Sequence, residues 1–352
     1  MLKGINRKTI LYIITISAIL LVLPVIFMTL NLPFAANALF LALLYSVMAL
    51  GWNLLGGYGG QVSFGHAVYF GVGAYTTMCL LLLYEITPWI GIFIGGVLGA
   101  ITGLGLGVPF FRLRSHWFSL ATLASVTIFL LAFQVLMPGG SAGLQVPIVP
   151  PEKQLYYVRF PGPYVYIYIT LAILAIEIIV LNRLVKGKIG YYLQAIRDDE
   201  DAAMAMGINP FKYKMIAMAL SAFFVGVAGG IYAIRFRFVD PYCVFELILI
   251  SIYPVIATLL GGMYNFWGPV VGSFVFLPLV EYVRSNIVSR FPRYFGLHYL
   301  VAGIILLIIS IWLPNGIMGL LEEKGYIKRT TPFHVETRGK KDKKAKLRRV
   351  KK

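Results

Sequence analysis

Long runs of apolar residues recur along the chain and are separated by short polar segments. About 20 consecutive apolar residues are enough to cross the hydrocarbon core of a bilayer as one helix. The pattern predicts ten spans, over residues 10–30, 33–55, 67–84, 88–110, 117–137, 164–182, 215–234, 246–261, 268–283 and 297–313. We therefore predict an all-α, polytopic transmembrane helical bundle of about ten spans.

The composition agrees with this prediction. Hydrophobic residues make up 59% of the chain and charged residues only 13%, whereas a soluble domain carries about 25% charged residues. The first run follows three basic residues, as a signal peptide does. It is longer than the apolar core of a signal, so we expect it to be a retained helix.

An even number of spans places both termini on the same side of the membrane. Cytoplasmic loops carry an excess of Lys and Arg, and with both termini cytoplasmic the inner segments hold 24 of the 31 basic residues. We expect a cytoplasmic N-terminus over 1–9, a membrane domain over 10–313 with an inner loop at 183–214, and a basic cytoplasmic tail over 314–352. The tail is expected to be disordered toward its end and to meet membrane lipid rather than nucleic acid.

Two glycine-rich segments, 54–66 and 259–269, interrupt the apolar pattern. Irregular backbone at membrane depth is tolerated where it is packed in protein or lines a watery cavity, and paired interruptions in two halves are typical of a translocation pathway. The residues expected along that pathway are Asn53, Gly57, Gly60, Gln61, Ser63, His66, Gly262 and Asn265. The alternative is that the glycines only allow close helix packing.

The inner loop contains a short helix with defined ends. Asp198 or Asp199 can cap its start, Gly207 can take the left-handed conformation at its end, and Pro210 prevents continuation. The apolar residues expected to share one face are Ala202, Ala203 and Met206. A helix of about two turns is not stable alone, and its acidic start is unlike the basic polar face of a membrane-surface helix. The pattern favours docking of another protein.

The energy source must lie outside this chain, because no GxxxxGK[ST] phosphate loop occurs in it. A gradient-driven carrier, the alternative class, would place ionisable groups within the membrane. The acids in or at the ends of the predicted spans are Glu177, Glu246 and Glu281. The sequence shows no nucleophile–base pair and no metal-ligand spacing, so we expect neither an enzyme nor a cofactor.

Four segments in order, 49–66, 195–203, 206–208 and 267–269, resemble the branched-chain amino-acid permeases of bacterial and archaeal ABC importers, and specifically the LivM-type subunit. The resemblance spans about residues 37–319. It implies the inner (cytoplasmic) membrane of a prokaryote as the location of the chain. Related permeases carry urea or short amides and share much of the glycine-rich motif, so the solute stays open.

The resemblance also implies partners. These are a second, LivH-type permease, two cytoplasmic ATPase subunits that hydrolyse ATP, and an extracytoplasmic binding protein that delivers leucine, isoleucine or valine. It further implies that a coupling helix in the inner loop contacts the ATPase. The residues assigned to that contact are Arg197, Asp198, Asp199, Glu200, Ala202, Ala203, Met206 and Gly207.

Overall fold

The computed structural model describes residues 21–113, 116–146, 154–290 and 315–324, with a few single positions between 152 and 313. Within this part, seven helical segments are long and apolar enough to cross a membrane. They are Pro33–Tyr58, His66–Tyr84, Pro88–Phe110, His116–Leu136, Tyr164–Val185, Pro210–Phe236 and Pro241–Gly261. The helical, multi-pass membrane fold is therefore confirmed. Of the predicted span 10–30, residues 21–29 are helical and residues 10–20 lie outside the described residues, as does most of the span 297–313.

We number the described helices in chain order. They are α1 Pro33–Asn53, α2 His66–Tyr84, α3 Pro88–Phe110, α4 His116–Leu136, α5 Tyr164–Val185, α6 Lys188–Asp198, α7 Glu200–Ala205, α8 Pro210–Phe236, α9 Pro241–Val244, α10 Tyr253–Gly261, α11 Gly268–Arg290 and α12 Gly316–Glu323. The described residues include two π-helical segments. Leu54–Tyr58 directly follows α1, and Leu247–Ile252 directly precedes α10. Helix α11 includes the predicted span 268–283 but is less apolar than the seven segments above.

Helix α1 is the centre of the bundle. Every residue from Ala42 to Asn53 is buried, and the helix packs against α5, α8, α10 and α11. Helix α4 shows the opposite pattern, because only four of its residues are buried and its exposed positions include Ile128 and Val135. A bilayer is as apolar as these side chains, so such a face costs little in a membrane.

Helices α2, α3 and α8 pack closely through small residues that we call the glycine crossing, namely Gly73, Gly95, Gly99, Gly226 and Gly229. A Cβ added at Gly95 would lie 2.8 Å from the carbonyl oxygen of Gly73, and one at Gly226 would lie 2.9 Å from that of Gly95. Only glycine allows three helix backbones to approach this closely.

A short antiparallel pair of strands is the one departure from the all-α prediction in the described residues. Leu144–Gln145 pairs with Phe238–Val239, so the long loop after α4 is joined to the turn after α8. Helix α8 has 27 residues and is therefore about 40 Å long, at about 1.5 Å per residue. This turn lies at the end of α8, whereas α7 lies next to its start. The sheet and the inner loop are therefore at opposite ends of the bundle.

The predicted tail begins with ordered structure. Helix α12 packs against α10 and α11, and Met318 is buried. The boundary at 314 therefore does not mark the end of the packed fold. Residues 325–352 lie outside the described part of the chain.

Candidate functional site

The first glycine-rich interruption, which we call the first break, covers residues 54–65. The backbone N–H of Gln61 donates to the Leu55 carbonyl (3.0 Å) across the wide π-helical turn. The indole N–H of Trp52 donates to the carbonyl of Ser63 (2.7 Å), and the hydroxyl of Ser63 accepts from the backbone N–H of Gly65. Trp52 and Ser63 are buried, so these bonds satisfy polar groups that would otherwise lack a partner, and the break is a defined structure.

His66 opens α2 directly after the first break and is fully buried. Its Nε2 lies 2.8 Å from the hydroxyl oxygen of Ser221 in α8, and its ring packs edge to face on Tyr69. The next residue, Ala67, donates its backbone N–H to the hydroxyl of Ser251 (2.9 Å) in the second π-helical segment. The start of α2 is thus attached to two other membrane helices.

The second break covers residues 262–267, between α10 and α11. Gly262 has φ +115°, a conformation that glycine alone adopts readily. The side-chain oxygen of Asn265 accepts from the backbone N–H of Trp267 (2.9 Å), and its amide donates to Glu322 of α12 (2.7 Å). Asn265 therefore stabilises the turn and attaches it to the C-terminal helix.

The two breaks meet, although they are more than 200 residues apart in sequence. The side-chain amide of Asn53 lies 3.5 Å from the carbonyl oxygen of Asn265. A Cβ added at Gly57 would lie 2.6 Å from the carbonyl oxygen of Met263. The hydroxyl of Thr258 also donates to the carbonyl of Ala49 (3.2 Å). These contacts connect α1 with α10 at the point where both helices end.

The predicted pathway residues divide into two groups. Asn53, Gly57, Gly262 and Asn265 lie together where the breaks meet. Ser63 and His66 are buried at the other end of the first break, Gly60 lies against Arg197 of α6, and Gln61 is half-buried. Sequence reasoning did not single out Ser221 or Ser251, because an isolated serine in an apolar helix carries no pattern.

Glu177 of α5 is completely buried next to α1. A Cβ added at Gly51 would lie 3.4 Å from one of its carboxyl oxygens and 3.4 Å from the carbonyl oxygen of Ser221. Neither carboxyl oxygen makes a hydrogen bond to the described residues. Of the three acids noted in the sequence, Glu177 is therefore the most deeply buried. Glu281 is also buried but pairs with Arg284, and Glu246 is half-buried.

The inner loop forms two helices, α6 and α7. Asp199 caps α7 by accepting from the backbone N–H of Ala202 (2.9 Å), and Gly207 has φ +82°. Both predicted ends of the short helix are confirmed. Asp198 instead ends α6. The carboxylate of Glu200 contacts Lys214 in α8 (2.6 Å), which holds α7 against the bundle.

The predicted apolar face of α7 is only partly exposed. Met206 is 82% exposed and Ala202 is also exposed, but Ala203 is only 4% exposed and faces the bundle. Ala203 therefore does not lie on the exposed surface of α7, and its assignment to the ATPase contact stays a prediction. Met204, which the sequence analysis did not select, is 46% exposed on this helix.

Arg197 was assigned to the ATPase contact, but its side chain turns toward the breaks and is only 15% exposed. Its Nη1 donates to the carbonyl of Gly57 (3.2 Å), and its guanidinium lies 5.1 Å from the centre of the Tyr264 ring. Its Nε and Nη2 donate to one oxygen of Asp198, at 3.0 and 2.9 Å. One side chain thus contacts the first break, the second break and the inner loop.

The family described as branched-chain amino acid transport system / permease component matches residues 34–310. The high-affinity branched-chain amino acid transport system permease protein LivM of Escherichia coli (strain K12) is 26% identical over 306 residues, covering 79% of this chain and 68% of that protein.

Two proteins of Methanocaldococcus jannaschii are also similar to the chain. The probable branched-chain amino acid transport permease protein LivM is 23% identical over 319 residues, covering 78% of this chain and 90% of that protein. The probable branched-chain amino acid transport permease protein LivH is 25% identical over 292 residues, covering 79% and 91%. The similarity thus extends along most of the chain and to permeases of both types.

Proposed function

This chain belongs to the family of branched-chain amino acid transport permease components, and from that premise we propose that it forms part of the pathway by which leucine, isoleucine and valine cross the membrane. The expected resemblance to LivM-type permeases is confirmed. The chain is a permease subunit of an ABC importer. ATP hydrolysis is then the work of partner subunits, since the sequence has no phosphate loop.

The end of the bundle that carries α6, α7 and both breaks is the cytoplasmic end in this proposal. The position of 24 of the 31 basic residues supports this orientation, with ten spans and both termini inside. The strand pair at the other end then faces the extracytoplasmic binding protein. The membrane is the inner (cytoplasmic) membrane of a prokaryote.

The observation that carries the proposal is the exposed surface of α7. A six-residue helix that carries one exposed methionine, Met204, and ends at a second, Met206, is not a stable element on its own. Methionine is a flexible, polarisable side chain that is common at binding surfaces. We propose that Ala202, Met204 and Met206 dock on an ATPase subunit, and that a LivH-type permease completes the membrane part together with a second ATPase subunit.

Replacement of one exposed methionine tests this docking. We expect Met206→Arg to reduce co-purification of the ATPase subunits and ATP-dependent uptake together, by about tenfold, since it places a charge in an apolar contact. Met206→Leu keeps the apolar surface and is the matched control. Normal assembly of the Met206→Arg protein would contradict the docking surface.

The polar groups where the breaks meet are amides and backbone carbonyls, together with one cation, Arg197, and one carboxylate, Glu322, whose charges are opposite. The oxygen of Asn53 is buried and accepts no hydrogen bond from the described residues. Such a wall suits a solute whose net charge is zero, and this supports an amino acid with an apolar side chain. Urea and short amides fit the same chemistry and are the alternative solutes.

Reconstitution of the complete importer in liposomes tests the proposal. Labelled leucine and labelled urea are offered with the binding protein, with and without ATP inside. We expect leucine uptake that needs ATP. Uptake of urea without uptake of leucine would show that urea is the solute. Leucine uptake that does not need ATP would overturn the importer mechanism.

One observation favours a gradient-driven carrier as the second candidate. Glu177 is an acid enclosed in the bundle, and buried acids are typical of proton or ion sites in such carriers. The same liposomes, without ATP but with an imposed proton gradient, separate the two classes. Uptake under the gradient alone would favour the carrier.

A further inference from the structure

Arg197 occupies a position that docking alone does not explain. It is the penultimate residue of α6, in the segment that adjoins the exposed helix α7. A residue that binds a cytoplasmic partner should point outward, as Met206 does. The guanidinium of Arg197 instead lies between the inner loop and the two breaks.

The contact with the first break is made at two points. The Nη1 of Arg197 donates to the carbonyl of Gly57, which is the residue that also touches the second break. The stem of Arg197 packs on Gly60, where an added Cβ would lie 2.7 Å from Cγ and 3.2 Å from Cα of Arg197. The backbone of α6 and that of the first break are therefore in direct contact.

The contact with the second break is the Tyr264 ring, with the guanidinium 5.1 Å from its centre. A planar guanidinium can donate at its edge and stack through its face at the same time, which a lysine ammonium cannot do. Asp198 accepts from Nε and Nη2 and fixes the orientation of that plane. This geometry needs arginine rather than any basic residue.

We propose that Arg197 is a positioning residue that makes α6 and the two breaks move together, so that displacement of the inner loop by an ATPase subunit changes both breaks at once. The proposal rests on the proposed function for the source of the displacement. The attachment itself is a property of this chain alone. Glu200, bound to Lys214, attaches the following helix to α8 instead, so the two attachments lead to different parts of the bundle.

Distances between spin labels test the attachment without any transport assay. Cys79 and Cys243 are first replaced by alanine, and labels are placed at the exposed residues Tyr191 in α6 and Val62 in the first break. We expect one narrow distance distribution in the parent protein and a clearly broader one after Arg197→Ala. Arg197→Lys, which keeps the charge and part of the stem, is expected to broaden it as well. Identical distributions in parent and variants would overturn the proposal.

The complete importer in liposomes supplies the second test, read as molecules of leucine carried per ATP hydrolysed. Poor folding or assembly removes whole complexes and leaves this ratio unchanged. We expect Arg197→Ala to lower the ratio about tenfold, the typical effect of losing a hydrogen bond from a charged group. An unchanged ratio would overturn the role in coupling.

Tyr264 provides a matched pair of variants. Tyr264→Leu removes the ring under the guanidinium and should lower the ratio about threefold, the size of a partly exposed cation–π contact. Tyr264→Phe keeps the ring and should restore the parent ratio. Equal effects of the two variants would show that the ring contact plays no part. The label experiment does not depend on solute or ATP, so its result stands even if the proposed importer function fails.

Discussion

The glycine crossing and the two breaks are both rich in glycine, but their glycines meet different neighbours. In the crossing, Gly73, Gly95 and Gly226 face the backbones of other helices and lie within regular α-helix. In the breaks, Gly57 separates Asn53 from the backbone at Met263, Gly60 lies against Arg197, and Gly262 has a conformation outside the helical range. Glycine therefore provides close packing in one region and a change of backbone course, next to the inner loop, in the other.

This difference predicts that substitutions in the two regions change different properties, namely stability in the crossing and transport in the breaks. The crossing glycines contact residues of α2, α3 and α8, whereas the breaks are bonded to the inner loop through Arg197. Substitutions in the crossing should therefore act mainly on the free energy of unfolding. Substitutions in the breaks should act mainly on transport by the folded protein.

The largest effect is expected for Gly95→Ala in α3. Its new methyl would lie 2.8 Å from the Gly73 carbonyl oxygen, and separating the helices should cost about 2–3 kcal/mol of unfolding free energy. The measurement is the melting temperature in detergent. The matched control is Gly105→Ala on the same helix, where nothing lies within 4 Å. Equal melting of the two variants would contradict the close-packing role.

A loss of transport beyond any loss of stability is expected for Gly57→Ala. The methyl would enter the contact between the breaks, 2.6 Å from the Met263 carbonyl oxygen and closer still to the side-chain oxygen of Asn53. We expect uptake per folded molecule to fall about tenfold, equivalent to about 1.4 kcal/mol, whereas the Gly95→Ala protein that remains folded should take up solute at the parent rate. Equal uptake per folded molecule in the two variants would remove the distinction between the regions.

The smallest effect is expected at Gly207, which follows α7. An added Cβ meets nothing within 4 Å, so only the left-handed backbone matters. Gly207→Ala should weaken the α7 cap by about 1 kcal/mol, and Gly207→Asn by less, because asparagine tolerates this conformation. Hydrogen exchange of the α7 amides measures the difference. Faster exchange in the Gly207→Asn protein than in the Gly207→Ala protein would argue against a purely conformational role for Gly207.

Much of the fold could be predicted from the sequence. The apolar runs at 33–55, 67–84 and 88–110 correspond closely to described helices, since a helix that crosses a bilayer must be apolar for about 20 residues. The ends of α7 were predicted because caps are local, with Asp199 and Gly207 acting within one turn. The strand pair was not predicted, because two residues per strand leave no readable alternation.

The candidate site was predicted in its parts but not in its assembly. The sequence identified both breaks, the inner loop and Arg197 as separate features. It placed Ala203 on an exposed face, since helical spacing tells which residues share a face but not which way that face is turned. Tyr264 and Glu322 were not selected, as their roles depend on partners distant in sequence.

The sequence by itself determined that this is a helical membrane protein, where its backbone departs from regular helix, and which family it resembles. These are properties of local composition and short-range spacing, and they do not depend on how the helices are arranged. Only the tertiary structure decided that the two breaks touch and that Arg197 contacts both. Contacts between residues far apart in the chain depend on the packing of whole helices, which no local pattern encodes.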